Sequence, residues 1–214
     1  MKLLSPCSTC RKASCRVILN TMKEPQEKRV VAFVDGQNLY YAAKASFGYT
    51  YPNYDVRALA KMVCQTQGWK LAQTRFYTGV PSMIDNAFWN EFWTRKLAAM
   101  GRMGIQVFSR HLRYRNRTIT VHGGNSTLTS LVGEEKGIDV RIALDMVGLA
   151  LHNAYDVAVV FSQDQDLSEA VDEIRHIARS QNRWIKIASA FPLENTSTNK
   201  RGLNKTDWIL FIKK

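Results

Sequence analysis

Acidic residues are scarce in this chain: 18 Asp and Glu stand against 30 Lys and Arg over 214 residues, a formal net charge of +12. Residues 92–133 contain none, yet Arg95, Lys96, Arg102, Arg110, Arg113, Arg115 and Arg117 fall inside that span. This balance excludes an acidic solvating chain and favours a polyanionic partner. Cysteine is also sparse. Four Cys at this length are not a disulfide framework, and Cys64, alone in a helical pattern, reads as a core residue of a reducing compartment. No run approaches the ~20 apolar residues of a membrane span, and the N-terminus lacks the apolar core of a secretory signal. A cytoplasmic protein without membrane contact is expected. What is plentiful is apolar: 45% of residues, with five Trp, enough for one large core.

Residues 1–29 show little hydrophobic periodicity and carry seven Lys and Arg against two Glu. Cys7, Cys10 and Cys15 have the opening of a zinc-ligand spacing, but the nearest His is His111 and a fourth ligand is missing. A flexible basic leader, or a stretch ahead of the natural start, accounts for 1–29 better than zinc. One folded domain is expected over 30–214.

Tyr155 to Ala170 is the most informative stretch. Val157 to Phe161 is an unbroken apolar run, as in a strand buried on both faces of a parallel sheet. It stops at Ser162, Asp164 and Asp166 follow, and helical spacing takes over from Leu167 to Ile177. Ser162 or Asp164 can cap that helix. Val30 to Val34 repeats the pattern, ending at Asp35 and Gly36 before a helix over Leu39 to Ser46. A helix capped by Asp55 reaches about Thr66. Lys70 to Thr78 reads as a strand broken at Gly79. Asp85 to Met100 reads as a helix with an aromatic core stripe of Phe88, Trp89, Phe92 and Trp93. Ile105 to Phe108 begins another strand. The basic run to Val121, with a turn at Asn116, predicts a β-hairpin extending past the sheet. His122 to Asn125 reads as a loop, Ile138 to Leu151 as a helix, and Arg183 to Ala190 and Trp208 to Ile212 as strands. Alternating strands and helices predict a three-layer α/β/α sandwich with a mostly parallel central sheet and a basic β-hairpin insertion.

Asp35 and Asp164 each follow a buried strand, and Asp139 opens a helix. Open α/β sheets bind ligands at the carboxyl ends of their strands. Carboxylates gathered there repel one another unless protonated or bridged by a cation. Oxygen donors without His or Cys suit Mg²⁺ or Mn²⁺, which can activate a water against a phosphodiester. Asp139 and Asp145 lie ~9 Å apart along a helix and about 240° around it, so they cannot both ligate one ion. Asp139 is the better candidate, and Asp145 supports from behind.

FVDGQN, EKGIDVRIALDM and FSQDQDLSEAV, in this order, resemble the three acidic motifs of the NYN family of PIN-like ribonucleases. The resemblance covers about Val30 to Ala190 and implies metal-dependent RNA cleavage on a PIN-like fold. By it, Asp35, Asp139 and Asp164 hold metal. Asn38 orients water or phosphate, Asp166 supports a ligand or a second ion, and Ser162 fixes the loop on the substrate side. The chain departs from the commoner form at Gln163, where Gly is frequent, and at Leu167, where Phe is.

Arg110, Arg113, Arg115 and Arg117 form an electrostatic footprint for RNA, single-stranded by expectation, and Tyr114 among them can stack a base. The alternative is a catalytically inactive RNA-binding module on the same fold. An aspartyl-phosphate phosphatase is disfavoured because position 37 is Gln where DxD is needed. A homodimer and an inhibitory protein partner are compatible with the family.

Overall fold

The computed structural model describes residues 22–120, 127–194 and 199–214. The Cys7, Cys10 and Cys15 spacing, most of the expected leader and the His122 to Asn125 loop lie outside the described residues.

Six strands form one sheet: β1 (Arg29–Asp35), β2 (Lys70–Val80), β3 (Gln106–His111), β6 (Val157–Phe161), β7 (Lys186–Pro192) and β8 (Trp208–Ile212). Their order is β3-β2-β1-β6-β7-β8, and every neighbouring pair is parallel. Parallel strands need crossovers. Helices α1 (Gly36–Phe47) and α2 (Val56–Thr66) join β1 to β2, and α3 (Ala87–Arg102) joins β2 to β3. Then α4 (Ile138–Leu151) leads into β6, and α5 (Ser168–Ser180) joins β6 to β7. The chain winds outward from β1 to β3, returns to the middle, and winds outward again from β6. The reversal falls between β1 and β6, the place where such sheets bind ligands.

Burial explains the layering. Val157 to Phe161 are each at most 1% exposed, and Val30 to Val34 likewise. Alternate residues point to opposite faces. Val30, Ala32, Val34 and Val159 pack with Leu39, Val56 and Trp93 on one face. Val31, Phe33 and Val160 pack with Ile142, Met146 and Ile174 on the other. Each large side chain so buried contributes about 1.5–3 kcal/mol over leaving it in water. The three-layer α/β/α sandwich is therefore the architecture, and its central sheet is wholly parallel.

Several boundaries differ from the sequence expectation. Arg29 opens β1 instead of closing the leader, because its guanidinium Nε and Nη2 each donate to a carboxylate oxygen of Asp156 at 2.9 Å. β2 runs through Gly79 to Val80, held there by β3, which pairs Gly79 with Arg110 and Val80 with His111. β7 starts at Lys186, since Arg183 turns its guanidinium onto the carbonyls of Ala150 and Tyr155. The aromatic stripe of α3 is core only at Trp93; Trp89 and Phe92 are half-buried and Phe88 is 59% exposed.

Outside the main sheet, β4 (Arg113–Thr120) pairs antiparallel with β5 (Thr127–Glu134). Asn116 is not a turn residue. It sits within β4 opposite Leu131, and the connection runs through residues 121–126, outside the described residues. No helix among the described residues is long and apolar enough to cross a membrane.

Candidate functional site

Asp35 ends β1 and caps α1. The next residue must be glycine for a steric reason. A Cβ at Gly36 would stand 2.5 Å from the Phe76 ring and 2.9 Å from the Tyr77 carbonyl oxygen. The helix therefore starts hard against β2, and Asp35 is held at its mouth, 8% exposed. One Asp35 oxygen, Oδ1, accepts from the Asn38 N–H at 3.0 Å. The other, Oδ2, accepts from the Ser162 hydroxyl at 3.1 Å. Val34 pairs with Phe161, which brings the end of β6 beside the end of β1.

The two strand ends are laced together. Asn38 Oδ1 accepts from the Gln163 N–H at 2.9 Å. Ser162 Oγ accepts from the Asp164 N–H at 3.1 Å. Asp164 Oδ1 accepts from the Asp166 N–H at 3.1 Å and caps the 3₁₀ turn Gln165–Leu167. Gln163 donates its side-chain amide to the carbonyls of Arg201 at 2.8 Å and Asn199 at 3.3 Å. The side chain that departs from the family pattern thus anchors this loop to the 199–202 segment.

From below, β5 delivers Glu134 and then Glu135, and Gly137 opens α4 with a left-handed φ of 75° that suits glycine. Asp139 follows in the first turn. The result is an open crevice of about 680 Å³ whose walls include Asp35, Glu135, Asp139 and Asp164, with Asn38, Tyr41 and Lys136. The carboxylates strain one another. Burial, opposed by the Asn38 and Ser162 hydrogen bonds and assisted by the Asp164 charge, pushes the Asp35 carboxyl above the usual range. Glu135 is pushed up to about 7, first by burial and then by the charge of Asp35 and Asp139, against a hydrogen bond from the Gly79 N–H.

A divalent cation fits this donor set by chemistry. The lining acids are hard oxygen donors gathered in one crevice, where burial first and neighbouring carboxylate charge second raise the Asp35 and Glu135 carboxyls. No three His, Cys, Asp or Glu side chains among the described residues stand as a closed metal cluster. Mg²⁺ does not require one, since it is usually held by one or two carboxylates with waters and phosphate oxygens.

The sequence-derived residues divide. Asp35, Asn38, Asp139 and Asp164 share the crevice. Ser162 is 1% exposed, so it fixes the loop through Asp35 and Asp164 and does not reach a substrate. Asp166 is exposed and faces the neighbouring groove between α4 and α5 with Asp139 and Glu169. Asp145 does not line the crevice; it pairs with Arg75 and Arg141 at 3.0 Å each and accepts from the Tyr77 hydroxyl at 2.8 Å. Asp207, just ahead of β8, accepts from Lys186 and the Ile187 N–H at the opposite end of the sheet.

Arg110 reaches the rim: a Cβ on Gly137 would stand 2.6 Å from its Nη1. Arg113 and Arg115 are exposed along β4, with Arg115 4.0 Å from Glu134. Arg117 belongs to the same strand, and its side chain lies outside the described residues. Glu135, Lys136 and Tyr41 went unassigned in the sequence reading. The acidic pair ahead of a helix-opening glycine was the available signal for Glu135.

A family model, the NYN domain, matches residues 29–201. No curated protein matches the chain. Among solved structures, a protein of unknown function from Vibrio parahaemolyticus is 20% identical with a TM-score of 0.52, over 89% of this chain and 96% of that one. That likeness concerns the fold alone. The tetrameric inhibited form of phosphofructokinase-2 from Escherichia coli is 9% identical over 78% of this chain and 55% of that one, and its TM-score of 0.30 carries no argument.

Proposed function

The chain belongs to the NYN domain family, a PIN-like, nuclease-related family, and from that premise we propose that it is an endoribonuclease that cuts RNA with Mg²⁺ or Mn²⁺. One observation carries the reading: Asp35, Glu135, Asp139 and Asp164 line one crevice at the β1–β6 reversal. Asp35, Asp139 and Asp164 are the residues that would hold the ion, and Glu135 adds a fourth charge. A divalent cation there supplies water activation and neutralises charge building on the phosphodiester.

The protein's own groups do the rest. Asn38 and Ser162 hold the Asp35 carboxylate in one orientation through hydrogen bonds of 3.0 and 3.1 Å. Glu135, pushed up to about 7, can hold or release a proton near neutral pH. Lys136 and Arg110 put positive charge at the crevice, and Arg113, Arg115 and Arg117 extend it along β4. Such a run attracts a phosphate backbone without reading its sequence. We place the activity in the cytoplasm, as the sparse cysteine suggests.

Asp164→Asn tests this. Asn keeps an acceptor for the Asp166 N–H, so the turn survives. Wild type should cleave unstructured single-stranded RNA with Mn²⁺ and stop with chelator. Mn²⁺ should also raise its melting temperature, since a ligand bound only to the native state adds about 2.7 kcal/mol at a hundredfold excess over Kd. The variant should lose at least about a hundredfold in cleavage, show a smaller Mn²⁺ shift, and still bind RNA. A variant that cleaves like wild type sinks the metal-site assignment. Wild type that binds RNA but never cleaves it is the inactive module.

A further inference from the structure

A smaller cavity, about 150 Å³, opens between α1, α3 and the end of β2. Gln37, Tyr41 and Glu135 line both it and the carboxylate crevice, so the two adjoin across a shared wall. Its other walls mix the rings of Tyr40, Trp89 and Trp93 with Pro52, Pro81 and Leu112. Trp93 is buried in the core and Trp89 packs half-buried against it, while Tyr41 and Tyr51 stand out into solvent. Tyr41 is 57% exposed with its ring 5.4 Å from that of Tyr40. Tyr51, 45% exposed, lies 5.4 Å from Trp89 at an interplanar angle of 36°. Leaving such rings in water forgoes burial, which the fold could have gained by covering them.

We propose that this depression, through the exposed ring of Tyr41, seats one unpaired nucleobase next to the phosphate in the carboxylate crevice. The proposal rests on the RNA-cleaving reading above. A base has a π-face, and aromatic side chains hold it by stacking with little regard to its identity. A cavity of about 150 Å³ is on the scale of one base and far too small for a duplex. A base stacked and paired within a duplex is withheld from it, whereas single strands can splay their bases outward. At the shared wall, the Gln37 amide and the Glu135 carboxyl offer polar partners for a base edge. Cationic partners for a flanking phosphate stand at the crevice, bordered by Lys136 and Arg110.

The test uses the full chain and a short RNA carrying 2-aminopurine, whose fluorescence falls on stacking. In chelator, where no cutting occurs, wild type should quench the probe on binding. Tyr41→Ala should lose most of the quenching and bind the single strand roughly tenfold more weakly, within the range of one lost base stack. Tyr41→Phe, which keeps the ring, should behave as wild type. Binding of a fully paired duplex should not respond to either change. Should the Tyr41→Ala and Tyr51→Ala double variant bind and quench like wild type, the base seat is wrong, even if Mn²⁺-dependent cleavage is intact. Should wild type quench in a Tyr41-dependent way but never cleave with Mn²⁺, the seat stands and the nuclease reading falls.

Discussion

Glu135 occupies a place where a carboxylate is costly, half-buried beneath Gly79 and within the field of Asp35 and Asp139. Its carboxyl is pushed from an ordinary 4.5 up to about 7, so in that window the native state holds a proton that the unfolded chain has lost. Stability therefore falls as pH rises from 4.5 to about 7, by on the order of 3 kcal/mol, and the full cost is present above pH 7. Below 4.5 both states are protonated and there is no cost. Glu135→Gln should accordingly melt several degrees higher than wild type at pH 8 in chelator, at about 2–4 °C per kcal/mol for a domain this size. At pH 4.5 the two should melt alike. Calorimetry at both values decides it, and an equal shift at both would mean that packing rather than charge governs the site. Asp35 and Asp164 were legible from sequence because each ends a short apolar run. Glu135 was not. Its neighbours in sequence are Glu134 and Lys136, the signature of a solvated loop, and its burial depends on Gly79 and Leu112 arriving from β2 and the β3–β4 link.

At the scale of elements, β4 and β5 separate what a local pattern can and cannot reveal. The basic character of Arg113 to Arg117 is readable directly, since alternate residues on a strand share a face. The pairing is not. Asn116 is a turn former by type, yet cross-strand contact with Leu131 overrides that preference. Thr127–Glu134, TLTSLVGE, went unassigned from sequence, because only a partner strand gives its backbone hydrogen bonds a destination. Because β5 ends at Glu134, next to Glu135, the ladder rises directly from the crevice wall. Changing Arg113, Arg115 and Arg117 to Ala should weaken RNA binding and flatten its salt dependence by up to about 0.7 in log–log slope per lost phosphate contact on a single strand. Fluorescence titrations across a salt series measure that slope. An unchanged slope would turn the ladder away from the substrate path.

For the whole molecule, the wholly parallel sheet places its carboxylate crevice at one end and its fastening at the other. At the carboxyl ends of β1 and β6 sit Asp35 and Asp164; at the amino ends sits the Arg29–Asp156 pair. Besides the two guanidinium bonds, the Arg29 N–H donates to Asp156 Oδ2 at 2.9 Å, and the guanidinium also reaches the Asn153 carbonyl at 3.1 Å. Burial alone would raise the Asp156 carboxyl, but the Arg29 hydrogen bonds and charge hold it below the ordinary aspartate range. Its contribution is thus present above that ordinary value and is lost as pH falls through the lowered one. Among the described residues before Arg29, the fastening is lighter. Glu27 pairs with Lys70 in an exposed bridge, and the Lys28 carbonyl accepts from the Lys70 N–H at 3.0 Å. Removing residues 1–28 should therefore cost no more than about 1 kcal/mol. Changing Arg29→Ala in the shortened chain should cost on the order of 3 kcal/mol more, because Asp156 is left with its charge largely buried and its main partner gone. That second loss should shrink on acidification below the ordinary aspartate value, where Asp156 can take a proton instead. Urea unfolding of both proteins at pH 7 and pH 3 reads each step. A large loss on removing 1–28 alone would make the leader part of the core, and an Arg29→Ala cost that ignores pH would mean that its stem packing, not its charge, joins the two central strands.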